Sequence, residues 1–453
     1  MMRHSLFRWV NQLSPVQLIF LFYFIAVIAA TALLALPAAH QDGADPPFID
    51  ILFTAVSALS VTGLSTLTIA ETFSTTGATM LAAILQLGGV GVMAVGTFIW
   101  MIIGKKIGLK ERRLIMADQN QTSFAGIVRL VKEILLVILI IELIGFLILG
   151  TYFLQYFPTA KEAYFQGFFG AISATTNGGF DITGQSLVLF KDDYFVQFIN
   201  MLLIIFGAIG YPVLVEIKEF LFGKGNRANA FRFTLFTKVT TLTFFILVLI
   251  GTLFIMLLDI GDFFAGKPWH EVLFYSLFQS VTTRSAGLST MDVSQLSEPN
   301  HLFMSVLMFI GASPSSAGGG IRTTTFALVV IFIITYARGK GNIRLFNREV
   351  YEEDLLKAVM VTIIGFIFVF TAMIIISIVE PFDLTEILFE ATSAFGTVGL
   401  SLGITDNLST ISKIVLMIFM FIGRVGIITF LLIFKDNKKS GKYRYPKEKM
   451  IIG

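Results

Sequence analysis

The chain has 453 residues, of which 55% are hydrophobic and 14% charged, with a formal net charge of +3 and a mean hydropathy of +0.83. A soluble chain carries about a quarter charged residues, so this composition excludes a soluble enzyme or a nucleic-acid-binding domain and implies many spans through the lipid bilayer, with no nucleic acid as partner. No Cys is present, which removes disulfides and thiolate metal sites, and the four His are scattered with none expected at mid-membrane.

The first apolar window, 16–36, follows Arg3 and Arg8 in the manner of a signal peptide. Its apolar run exceeds the roughly 7–15 residues of a signal core, so a membrane span is expected. A shorter apolar stretch, 48–59, leads into Ser60-Val61-Thr62-Gly63-Leu64-Ser65, and a second long window covers 77–103. About 20 apolar residues are needed to cross a bilayer, so segments of a dozen re-enter more readily than they span.

The same order recurs three times. Window 134–154 is followed by the short stretch 163–174, then Thr176-Asn177-Gly178-Gly179-Phe180, then 194–215. Window 239–258 is followed by 270–281, then Arg284-Ser285-Ala286-Gly287-Leu288-Ser289, then 302–336. Window 358–379 is followed by 384–395, then Gly396-Thr397-Val398-Gly399-Leu400-Ser401, then 414–434. With Gly63, Gly179 and Gly399 aligned, a Phe and a Ser fall at one offset: Phe53 and Ser57, Phe169 and Ser173, Phe389 and Ser393. The third copy, Phe278 and Ser280, sets its Ser one residue further from Gly287.

The expected fold is an all-α integral membrane protein with eight transmembrane helices, built as four pseudo-repeats of helix, re-entrant pore helix and helix around a central ion pore. The repeats are 1–113 (pore helix 48–59, filter 60–65), 114–226 (163–174, 176–181), 227–344 (270–281, 284–289) and 345–434 (384–395, 396–401), with a tail at 435–453. Small-residue packing between helices is the alternative use of such glycines, but it gives no reason for a fixed offset after a short helix.

The chemistry follows from the backbone. Rings of carbonyl oxygens replace the hydration shell of a cation, and turning successive carbonyls to one axis needs torsions that a Cβ obstructs. Each short helix would point its negative C-terminal end at the pore. The ion-binding candidates are Ser60, Val61, Thr62 and Gly63; Thr176, Asn177, Gly178 and Gly179; Arg284, Ser285, Ala286 and Gly287; and Gly396, Thr397, Val398 and Gly399.

The sixth window is broken by Gly311-Ala312-Ser313-Pro314-Ser315-Ser316-Ala317-Gly318-Gly319-Gly320 and cannot be one straight helix. Breaks of this kind point to a pore-lining or moving part, and 311–325 is the candidate gate. Arg284, Arg322 and Arg424 lie at membrane depth and need protein or water partners. Arg424 falls mid-way through the last window, near the expected pore axis, where a carbonyl clamp or ion pair is its structural reading. Arg322 is expected to bond the loop. Arg284 and Glu390 are expected to support the filters as a pair, and Glu142, mid-span without a visible basic partner, to have a hydrogen-bonded structural role.

Of 33 Lys and Arg, 26 fall at the N-terminus, near 105–132, 218–238 and 338–357, or in the tail. Only Lys161, Lys191, Lys267 and Lys413 fall on the other side, which predicts cytoplasmic termini. No Walker loop and no dinucleotide fingerprint in a strand–helix context is present. An embedded enzyme finds no catalytic cluster, and an organic-solute symporter does not fit a four-fold repeat.

Val61-Thr62-Gly63-Leu64, Thr397-Val398-Gly399-Leu400 and Phe421-Ile422-Gly423-Arg424 make the chain resemble the Trk/Ktr/HKT superfamily of potassium transporters, and within it the KtrB-type membrane subunits of bacterial Ktr systems. The resemblance covers essentially the whole chain. It implies one K⁺ path per subunit, a homodimer, a bacterial plasma membrane, a cytosolic nucleotide-binding (RCK/KTN-type) regulatory ring, and a loop with Arg424 that obstructs ion flow. Any nucleotide would then sit on the partner, with Glu349, Glu352, Glu353 and Asp354 as polar contacts. Each repeat keeps one aligned Gly and lacks the Tyr-Gly of potassium channels, which predicts fewer K⁺ sites. Superfamily members that favour Na⁺ can carry Ser at the first filter Gly, so Gly63 points to K⁺, and a Na⁺-permeable or Na⁺-coupled pore is the rival reading.

Overall fold

The computed structural model describes residues 13–91, 126–222, 232–339 and 342–432, with isolated positions elsewhere. The basic segment 105–113, much of 223–231 and the tail motif Tyr443-Arg444-Tyr445-Pro446 lie largely outside the described residues.

Among the described residues, four long helices are apolar enough to cross a membrane: α1 (Pro15–Leu34), α4 (Ile127–Tyr152), α8 (Leu235–Leu258) and α12 (Glu352–Val379). The first starts on a capping box, in which Ser14 and Gln17 satisfy each other's backbone N–H with Pro15 just inside the helix. Four short helices follow them as expected: α2 (Phe48–Ser60), α5 (Ala160–Thr175), α9 (Trp269–Thr282) and α13 (Leu384–Gly396). Their side chains are buried almost throughout the C-terminal half, so these helices sit inside the protein and not in lipid.

The second helix of each unit departs from the expected windows. It begins as α3 (Thr75–Val90), α6 (Tyr194–Ala208), α10 (Glu298–Ile310) and α14 (Thr410–Val425). Each stops at or near a glycine of positive φ: Gly91, Gly210, Gly311 and Gly426. The stretch 194–215 is therefore not one straight helix. After Gly210 the chain turns by 105° into α7 (Tyr211–Phe222), where Pro212 lacks the N–H that would continue the helix. The window 414–434 divides in the same way into α14 and α15 (Ile427–Leu431). The third unit carries the largest interruption, a loop from Gly311 to Arg322 before α11 (Thr323–Ala337). A small hairpin, β1 (Arg344–Leu345) with β2 (Arg348–Glu349), is the one sheet among the described residues.

Packing closes into a ring. The helix α3 packs on α5, α6 on α9, α10 on α13, and α14 returns to α2. Each unit's second helix thus supports the next unit's short helix, and the fourth supports the first. The return contact carries a buried ion pair, Lys413 Nζ to Asp50 Oδ1 at 2.6 Å. Lys413 is 8% exposed on the first turn of α14, so it is not a loop lysine as its charge count suggested.

Candidate functional site

The four short helices end in similar ways for physical reasons. In α2 and α13 the next residue, Val61 or Thr397, adopts a left-handed conformation, with φ of 57° and 48°. The N–H of Thr62 then reaches back to Ser57 O, and that of Val398 to Ser393 O, at 2.8 and 2.9 Å. This closes the helix as in a Schellman cap, with β-branched residues where glycine is usual. Left-handed backbone at such residues costs on the order of 1–3 kcal/mol and persists only where the surroundings enforce it. In the second unit the left-handed residue is Asn177, with φ 57°, and the N–H of Gly178 bonds Ser173 O at 2.7 Å.

Hydroxyls of the same helices then fix the glycines. The N–H of Gly63 donates to Ser57 Oγ at 3.1 Å, and that of Gly399 to Ser393 Oγ at 3.0 Å. Ser173 instead donates to Phe180 O at 2.6 Å. In the third unit the hydroxyl is Thr282, bonding Leu288 O at 2.6 Å, while Ser280 bonds Val248 O on α8. Ser280 therefore does not take the expected place. The third helix runs to Thr282 and is followed by Ser285 at φ 150°, so its register to the glycine differs by one residue.

Gly63, Gly179, Gly287 and Gly399 all have positive φ, between 69° and 97°, and they meet. A Cβ on Gly63 would lie 2.7 Å from Gly178 O, and one on Gly179 would lie 2.8 Å from Ala286 O. A Cβ on Gly287 would run into Val398 O, and one on Gly399 into Thr62 O. The ring closes: the residue before each glycine turns its carbonyl oxygen to the neighbouring unit's glycine. Ser285 Oγ adds a bond to Thr397 O at 2.9 Å across units three and four.

The loop 311–322 touches this ring. A Cβ on Gly318 would strike Ser285, and one on Gly319 would sit 2.7 Å from Thr397 Oγ1. The loop is held by backbone bonds to the break in the second unit: Ser313 N to Ala208 O at 3.0 Å, Ala317 N to Gly207 O at 3.1 Å, and Tyr211 N to Ser315 O at 2.8 Å. Pro314 and Arg322 are half-buried, and the rest of 311–321 is buried.

The arginines find carbonyls. Arg424 donates to Ser316 O and Ala317 O in the loop, and to Gly88 O and Gly89 O at the end of α3. Arg322 donates to Ser313 O and Gly318 O, as expected. Arg284 is fully buried and bonds Leu307 O at 2.7 Å, with its other donors unpartnered. Glu390 accepts from Ser401 and from Thr405, the latter at 3.0 Å. Arg284 and Glu390 thus do not pair: Arg284 bonds a carbonyl of α10, and one oxygen of Glu390 accepts from hydroxyls just after its own glycine turn. Residues missed in the sequence include Asp50 and Tyr211, whose hydroxyl donates to Gly89 O at 2.8 Å beside the Arg424 bond. The recurrent break glycines were the available signal for Tyr211.

Residues 14–444 match the TrkH family, described as cation transport protein. The chain is 58% identical over 452 residues, all of both chains, to the Ktr system potassium uptake protein D of Bacillus subtilis (strain 168). It is 34% identical to the potassium/sodium uptake protein NtpJ of Enterococcus hirae, covering 98% of each. Among solved structures, the potassium transporter TrkH from Vibrio parahaemolyticus shares the fold, with a TM-score of 0.72, 17% identity, and coverage of 94% of this chain and 86% of that one. A family match over nearly the whole chain settles the matter: the chain belongs to the TrkH family of cation transport proteins, a family of transporters and not of enzymes.

Proposed function

We propose that the chain is the membrane subunit of a K⁺ uptake system, with the ion path running through the four-glycine ring. The observation that carries this reading is the convergence of the Thr62, Gly178, Ala286 and Val398 carbonyls on the neighbouring glycines. Carbonyl rings of this kind substitute for water around a cation, and the membrane potential supplies about 2.3 kcal/mol per charge per 100 mV. On this reading the candidate filter residues line that path, and each aligned glycine turn marks one domain unit. Residues 311–320 with Arg424 are the gate. The loop lies against Ser285 and Thr397 of the ring, and a guanidinium holds it shut by bonding carbonyls on both the loop and α3.

The remaining assignments follow the family. The subunit acts as a homodimer in a bacterial plasma membrane with both termini cytoplasmic, consistent with the charge distribution. A cytosolic nucleotide-binding ring controls it. A cavity of about 570 Å³ lined by Phe332, Tyr336, Ile343, Glu349, Glu352 and Leu355 lies on the side assigned to the cytoplasm and supports docking there. A Na⁺-coupled or Na⁺-permeable mode is the second reading, favoured by the likeness to a protein named for both ions.

The test is growth of a K⁺-uptake-deficient bacterium on limiting K⁺, with a matched regulatory partner supplied. Wild type should rescue, and deletion of 313–319 should raise ion flux. Unchanged flux in the deletion would overturn the gate, and failure of wild type, with the protein in the membrane, would overturn K⁺ uptake.

A further inference from the structure

Glu142 lies in the middle of α4 and is 7% exposed. None of the four ion pairs among the described residues includes it. Its Oε2 accepts a hydrogen bond of 3.0 Å from Gln86 Nε2 on α3. The other oxygen of each side chain, Glu142 Oε1 and Gln86 Oε1, is buried without a partner. Two unsatisfied acceptors on two side chains already bonded to each other is an expensive arrangement in a membrane protein, and an unpaired buried carboxylate more so.

We propose that Glu142 is a proton-binding site: it carries a proton on Oε1 and pairs with Gln86 as a carboxylic acid with a primary amide. One proton makes Glu142 Oε1 a donor and gives Gln86 Oε1 the hydrogen bond it lacks. The amide N–H runs to one oxygen and the acid O–H runs back, so both acceptors are satisfied at once. A metal cation fits less well. Hard cations take about six or more oxygens, and no group of three or more His, Cys, Asp or Glu suited to a metal occurs among the described residues.

The surroundings agree with a neutral group. Leu203 of α6 and Ala171 of α5 pack at Gly145, one turn along α4. The charged residues of α5, Lys161 and Glu162, lie in its first turn, and those of α7, Glu216, Lys218 and Glu219, lie from its middle onward. Among the described residues, Tyr211 is a titratable group within electrostatic reach of Glu142, and its hydroxyl is engaged on Gly89 O. Gln86 precedes Gly88 and Gly89, the carbonyls that hold Arg424. The acid–amide pair therefore anchors the end of α3 to the second unit without placing a negative charge that would draw Arg424 from the loop.

The test is infrared difference spectroscopy of the full chain in lipid near neutral pH, wild type against Glu142→Gln. The expected result is loss of one protonated-carboxyl C=O band in the variant. Loss of a carboxylate doublet in its place, whether the group is bare or bound to a cation, overturns the proposal. Gln86→Met supplies an independent arm if Glu142→Gln does not accumulate. Removing the amide donor should shift the acid band to higher frequency, and an unshifted spectrum overturns the pairing.

Discussion

The first and fourth units differ instructively from the third. Units one and four end their short helices on left-handed Val61 and Thr397, and both pin the glycine N–H with a helix serine, Ser57 or Ser393. The third unit runs its register one residue differently, uses Thr282, and places the buried Arg284 where the others have Ser60, Thr176 and Gly396. The same ring is thus closed by two different local solutions. Position at the axis is what the four share, not the set of hydrogen bonds behind it. The third unit is also the one whose second helix opens into the long loop, so the irregular glycine turn and the candidate gate belong to one segment of chain.

The largest test of this contrast is the junction of units one and four. Breaking a buried ion pair by removing one partner costs about 3–5 kcal/mol. Lys413→Met should therefore lower thermal stability in detergent sharply, by stranding Asp50 at the start of α2. Lys413→Met with Asp50→Leu should recover much of the loss. A double variant as unstable as the single would show that the pair does more than satisfy its own charges.

A smaller effect separates the two pinning schemes. Ser393→Ala leaves the Gly399 N–H without its acceptor, a loss of about 1 kcal/mol, and should reduce K⁺ over Na⁺ discrimination in flux assays. Ser280→Ala should leave discrimination unchanged, because that hydroxyl faces Val248 O, while Thr282→Val should reproduce the Ser393 effect. If Ser280→Ala alters selectivity as much as Thr282→Val, the register difference has been misassigned.

The smallest effect is acidic. Glu380, at the end of α12, accepts from Ser409 N at 2.8 Å and Ser412 Oγ at 2.6 Å. Partial burial pulls its carboxyl upward, but the Ser412 and Ser409 hydrogen bonds and nearby Lys413 outweigh this and hold it below the ordinary range. A depressed carboxyl contributes stability above its unfolded-state value, and that contribution is lost as pH falls through the folded one. Melting curves of Glu380→Gln should show a shallower acid limb than wild type, with little difference near neutrality.

The unit order and the short helices were legible because apolar length and a glycine at constant offset are local signals. The extents of α2 and α13 agree with the sequence windows to within a residue or so at each end. The breaks in the second helices were not legible as breaks, except in the third unit, because one glycine in an apolar run reads as tolerated helix. Only the structure shows that Gly91, Gly210 and Gly426 turn to positive φ. Long-range partners were illegible in principle: Lys413 and Asp50 are 363 positions apart, and Arg424 and Gly88 336 apart. The expected pairing of Arg284 with Glu390 failed because opposite charge does not report distance, and one oxygen of the carboxylate instead takes the hydroxyls of Ser401 and Thr405, close in sequence.

The central claim is that all four glycines line one ion path despite their different supports. The direct measurement is K⁺ uptake, with Na⁺ competition, by purified protein in vesicles carrying Gly63→Ala, Gly179→Ala, Gly287→Ala or Gly399→Ala one at a time. Positive φ and the facing carbonyl oppose a Cβ at each position. The account predicts that every variant that inserts and stays folded loses K⁺ selectivity or flux, Gly287→Ala included. Full K⁺ uptake with unchanged discrimination in any one of them would contradict a shared four-glycine path.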